Sequence, residues 1–336
     1  MKRNAVVLAL LAIPSLLSAQ YSIANHFVVG GGGGWDYVVP DTARHRLFIG
    51  RQDRVMVVDE NTGKLLGEVK GIHGAHGTAI DERTGHGFAT SGDDSAIVMF
   101  DLKTFKHLAR AHAAEDADAI IHDAASKRVF SFNGDAHSAT VVDPATGKFV
   151  KNIDLGGKPE YGVAAGDGMI YVNLTDISEV VEVDGRAMTV LRRWPTGPCK
   201  QPVAMAIDRA HRRLFSGCRS GVMAVSDIGA GRVVATVPIG QGTDGAAFDP
   251  ATGNAFASNA DGTLTIIHQD TPDTYHVLQT LQTLPGSRNM GFDPVTHRAY
   301  VVGAKMGPAP EQATKDNPRR RPQVLPGTFE VMVIEK

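Results

Sequence analysis

A short apolar run that ends in a turn recurs along this chain at an almost fixed interval, and that period constrains the fold more than any single motif does. The segments are WDYVVPDTARHRLFIG, HGTAIDERTGHGFATS, DAIIHDAASKRVFSFN, EYGVAAGDGMIYVN, VAMAIDRAHRRLFSGC, DGAAFDPATGNAFASN and RNMGFDPVTHRAYVVG. Their turn positions, Asp41, Asp81, Asp123, Ala165, Asp208, Asp249 and Asp293, lie 40, 42, 42, 43, 41 and 44 residues apart. A second hairpin runs between them, as in VMVVDENTGKLLGEV, IVMFDLKTFKHLA, ATVVDPATGKFVKNI and EVVEVDGRAMTVLRRW. Strands rich in Val, Ile and Phe around Asp-Pro, Thr-Gly and Asp-Gly turns make four strands per period. Seven such units predict an all-β, seven-bladed β-propeller of four-stranded antiparallel blades.

The two ends of the chain suggest how the ring closes. The last repeat stops at FEVMVIEK, one strand short, while an unpaired strand, YSIANHFVV, precedes the first repeat. That N-terminal strand is expected to complete blade seven and so remove two open sheet edges. Five glycines, Gly30 to Gly34, follow it. A phosphate-binding loop would need a Lys-Ser/Thr pair opening a helix, whereas Trp35 and Asp36 open a strand. The glycines are therefore expected to be a hinge whose backbone angles side chains would hinder.

Residues 1–19 read as a secretory signal peptide: Lys2 and Arg3, an apolar stretch from Ala5 to Leu17, then Ser18 and Ala19. The expected product is a single soluble domain over residues 20–336, periplasmic or secreted, with no later stretch apolar enough to span a bilayer. Without Lys2 and Arg3 the balance is 32 basic against 36 acidic side chains, which argues against a general nucleic-acid surface. The two cysteines, Cys199 and Cys218, both fall in the exported part, and an oxidising compartment favours a disulfide between them.

Strings such as VMVVDENTGKLLGEV, ATVVDPATGKFVKNIDLGG and GRVVATVPIG, with strand ends like YVN at 171–173 and FASN at 256–259, resemble the YVTN-repeat, YncE-like β-propeller family. The resemblance covers the whole chain after residue 19. It implies an exported propeller but no particular reaction, because related propellers include lactone hydrolases, quinoprotein-dehydrogenase-like subunits and DNA-binding members.

Chemistry is expected on the face where the blades connect, since the innermost strands start there and the second strands end there. Five residues before each turn position stand Asp36, His76, Asp118, Glu160, Val203, Asp244 and Arg288, six of them polar or ionisable in otherwise apolar strands. One reading is a wet channel in which Arg288 neutralises Asp244 and Asp36. The other gives His76, Asp118 and Glu160 to a divalent cation, calcium, magnesium or zinc. A second ring, at the ends of the second strands, holds Arg51, Ser91, Asn133, Asn173, Cys218, Asn259 and Gly303. Its amides, Asn133, Asn173 and Asn259, either orient a ligand or cap the following turn. Residues 305–327 form a long Pro-rich loop inserted in blade seven on the same face, and its Arg319, Arg320 and Arg321 either meet an anionic partner or are simply solvated.

Together these features predict a binding or scaffold protein that uses the connecting face and the channel mouth. A metal-dependent hydrolase of the lactonase type is the first alternative, and single-stranded nucleic-acid binding through the arginine loop is the second. The chain contains no nucleophile elbow, HExxH or dinucleotide fingerprint opening a helix.

Overall fold

The computed structural model describes residues 20–313, 320 and 322–336. The proposed signal peptide, Arg319 and Arg321 lie outside the described residues.

Every sheet is antiparallel, and all but the last are built from strands consecutive in the chain. The turns between strands explain why the repeat is written as it is. Asp59, Asp101 and Asp143 each accept, at one carboxylate oxygen, the backbone N–H groups two and three residues on and the hydroxyl of the threonine three residues on. Such an Asx turn satisfies the donors that a tight reversal leaves unpaired. Gly63 and Gly147 follow with φ near +70°, which a side chain would disfavour.

The innermost strands are Val38–Asp41, the second half of Leu65–Asp81, Ala117–Asp123, Pro159–Ala164, Pro202–Asp208, Thr243–Asp249 and Asn289–Asp293. Each contacts the next, and the last contacts the first, so they enclose a central axis. The apolar core lies between adjacent sheets, where residues such as Phe130, Phe132 and Val172, or Phe215, Phe256 and Ile267, are buried. Polar rivets join neighbouring sheets. Thr90 Oγ1 donates to the Asp118 carbonyl at 2.6 Å, and Asn173 Nδ2 to the Ala204 carbonyl at 2.9 Å.

The sheet count corrects the expectation of seven separate four-stranded blades. The strands form six sheets, five of four strands and one of six, so the propeller has six blades by sheet count, with the first two repeats sharing one. In the shared sheet, Arg46–Asp59 pairs with Val38–Asp41 through Arg46 to Ile49 and with Leu65–Asp81 through Gln52 to Val58. Leu65–Asp81 then pairs with His86–Ser91 from Ala75 onward. The chain doubles back near Gln52, with φ of 49° there and Glu60 N donating to the His45 carbonyl. Gln52 pairs opposite Ala75, and this pairing continues the ladder from one repeat into the next.

The strand Ser22–Val28 lies along Glu330–Glu335 as the outer member of the last sheet, which joins the two ends of the chain in one ladder. Tyr21, just before it, is buried, and its backbone N–H and carbonyl both bond to the Gln279 amide.

Candidate functional site

Six of the polar positions read from the repeat come together at one end of the axis. His76 Nδ1 donates to Asp36 Oδ2 at 2.6 Å and lies 3.4 Å from Asp118 Oδ1. Asn289 Nδ2 reaches Asp36 at 3.1 Å and Asp244 at 3.4 Å. Arg288 Nε pairs with Asp244 at 2.8 Å. Arg219 lies 3.3 Å from Glu160 and 3.9 Å from Asp244. Asp118, His76, Asp36, Asn289, Asp244, Arg219 and Glu160 are thereby linked in one polar circuit around the mouth.

This circuit differs from the expected pairing at two points. Asp36 is held by His76 and Asn289, and Arg288 serves Asp244 alone. Glu160 is engaged by Arg219, a residue not read from the ring positions. In that repeat the ring position is Val203, which is buried, and the missing charge is supplied by the residue just beyond the second strand. The Cys199–Cys218 disulfide, with Cα atoms 5.5 Å apart, anchors that segment one residue before Arg219.

Crowding shifts these groups. Burial pulls the His76 imidazolium down, but its bond to Asp36 and the charges of Asp118, Asp36 and Asp116 outweigh this and lift it to about 9. Burial and the neighbouring Asp244 and Asp36 raise Glu160 to about 7 despite Arg219. Asp118 is raised by burial and by Asp36, with His76 opposing, and Asp244 is raised by burial against the pull of Arg288. Tyr37 and Tyr161, each directly following a ring carboxylate, pack with ring centroids 5.1 Å apart and planes tilted by 41°. Together with Asp244 they line a void of about 20 Å³.

The second ring has a different role. Asn133, Asn173 and Asn259 are fully buried. Asn133 bonds Ser138 and Thr140, Asn173 bonds Ala204 and Ser216, and Asn259 bonds Thr243, Thr263 and Thr265. Their hydrogen-bonding capacity is used inside and between sheets, so none of the three faces the mouth as a ligand contact. Arg51, also buried, answers the question of the glycines. Its guanidinium donates to the carbonyls of Gly30, Gly32, Gly33 and Gly34 at 2.9–3.3 Å and lies 3.8 Å over the Phe329 ring. The glycine run is a cradle for a cation from its own chain, and burial draws that cation down to about 10. Gly31 and Gly33 curl around it with φ above +80°.

Beyond this cradle, Trp35 leans on Phe329 at 5.5 Å and forms one wall of a cavity of about 530 Å³ beside Arg288 and Asn289. Met306 and Val324, which pair in an isolated bridge, form the opposite wall. The loop read as an insertion therefore supplies part of the site through its two ends.

The arrangement is similar to known structures in fold. A chain in the structure of Kuenenia stuttgartiensis hydrazine synthase superposes with a TM-score of 0.52 at 14% identity, over 70% of this chain and 96% of that one. The shared fold is a β-propeller. No protein-family model matches the chain, and no curated protein matches it in sequence.

For a metal ion the geometry selects a triad other than the one expected. Asp36, His76 and Asp118 each offer a ligand atom within 4.8 Å of the others, the one such group found among the described residues. Glu160 is not part of it. Asp118 Oδ1 is buried without a hydrogen-bond partner, and an imidazole with two carboxylates suits a borderline or hard divalent ion.

Proposed function

We propose that this chain is an exported propeller of the YVTN-repeat type that binds a small ligand at the mouth of its axis. The observation that carries this reading is the cavity of about 530 Å³ lined by Trp35 and Met306, which adjoins the polar circuit at Arg288 and Asn289. A concave, largely apolar space with a few convergent polar groups is where small molecules bind. Export is supported by the disulfide, which an oxidising compartment preserves. Screening residues 20–336 by ligand-observed NMR against fragments of mixed charge should return binders that compete for one site and are lost in Trp35→Ala. Fragments that bind the variant equally well would refute the mouth as the binding site.

A second reading follows from the Asp36, His76 and Asp118 triad: a divalent cation held there would polarise a substrate carbonyl and activate water, as in a lactonase-type hydrolase. A bound ion stabilises the native state by mass action. The melting temperature should then rise with Ca²⁺, Mg²⁺ or Zn²⁺ and fall with chelator, and Asp118→Asn should respond to neither. A wild-type protein indifferent to all three ions and to chelator excludes this reading.

A further inference from the structure

We propose that the cavity beside Arg288 is a site for a small organic acid, a single anionic head carried on an apolar body. The inference rests on the mouth-binding reading above and names the chemistry of its ligand.

Among the described residues lining the cavity, Arg288 is the only charged one. The carboxylates of the circuit stand behind it. Asp244 is 9% exposed at its side chain and Arg288 is 47% exposed, so the cavity meets the guanidinium before the carboxylate. Asp244 lies closest to Nε, and among the described residues no hydrogen bond engages the two terminal nitrogens. A guanidinium presents those nitrogens as a fork that matches a carboxylate. Asn289, the other polar lining group, directs its amide nitrogen to Asp36 and Asp244 and does not compete for the ligand's head.

The remaining lining is apolar: Trp35, Pro285, Met306 and Val324 face the space. A bare inorganic anion would leave these walls without a partner, whereas an apolar body removes their surface from water. A ligand amine would be repelled by Arg288, and a neutral ligand would leave its two terminal nitrogens without a charged partner. Both walls are built before any ligand arrives. Trp35 rests on Phe329, which lies under Arg51, which four glycine carbonyls hold. On the other side Gly307 N donates to the Gln323 carbonyl and Leu325 N to the Lys305 carbonyl, clasping Met306 and Val324. Prebuilt walls reduce the ordering cost of binding.

The probes are 4-phenylbutyrate, its amide and 4-phenylbutylamine, which share one apolar body and differ in charge. Calorimetry should show the acid binding at least about tenfold more tightly than the amide, the margin of one charge-assisted hydrogen bond, with the amine weakest. Arg288→Gln should abolish the preference for acid over amide, Arg288→Lys should keep part of it, and Trp35→Ala should weaken both ligands. Unfolding curves of each variant separate lost binding from lost structure. If the amide or amine binds as well as the acid and is still lost in Trp35→Ala, the mouth remains the site and the organic-acid inference is overturned. If none of the three binds, or binding ignores Trp35, both readings fall.

Discussion

Glu160 shows how a single side chain in the circuit is balanced. It faces Arg219, Asp244, Asp36 and Lys158, and burial with the two like charges outweighs the cations, so its folded pKa stands near 7 against an ordinary 4.5. The folded protein thus holds this proton more tightly than the unfolded chain does. Any stabilisation from that proton is complete below pH 4.5 and is lost as pH rises through 7. Glu160→Gln should therefore stabilise the protein at pH 8 by on the order of 1 to 2 kcal/mol and flatten the fall in stability between pH 4.5 and 7. Urea unfolding of both proteins at pH 4.5, 6 and 8 checks this; equal slopes against pH would show that Arg219 already compensates the charge. Ring positions were legible from the period alone, but their partners were not. Asp36 lies forty residues from His76 and 253 from Asn289, and only the closed ring brings these groups into reach.

At the scale of elements, the hairpins were readable because each carries its own local signal. Asp, Thr and Gly at fixed offsets satisfy a reversal with bonds to residues two and three away, which needs no tertiary partner. The disulfide was readable for a similar reason, since 19 residues of hairpin return Cys218 to Cys199. Two features escaped. The first two repeats share a sheet because a ladder continues through Gln52 and Ala75, and nothing in either residue type announces that pairing. The glycine segment was read as a hinge, yet its carbonyls wrap Arg51, a side chain seventeen to twenty-one residues further on. An arginine at a second-strand end, where the other repeats carry small or amide residues, was the available clue.

For the molecule as a whole, closure is the decisive interaction. The strand Ser22–Val28 covers the edge of the last sheet, and the innermost strands of the first and last repeats touch. Deleting residues 20–29 should lower the melting temperature by several degrees and promote association, because it exposes the unpaired edge of Glu330–Glu335 and removes the buried Tyr21. Thermal unfolding and light scattering of the truncated protein test this, and a truncated chain as stable and monodisperse as the parent would show that the outer strand is dispensable.

Period, turn chemistry and the alternation of apolar residues are properties of neighbouring positions, and they were enough to read an all-β propeller, its hairpins and the ionisable groups at one mouth, while the cysteine count added the disulfide. The sheet count, the partner of each carboxylate, the burial of Asn133, Asn173 and Asn259, and the cavity between Trp35 and Met306 were decided only by the tertiary structure. Each of these depends on distances between residues far apart in the chain, and such distances exist only once the ring has closed.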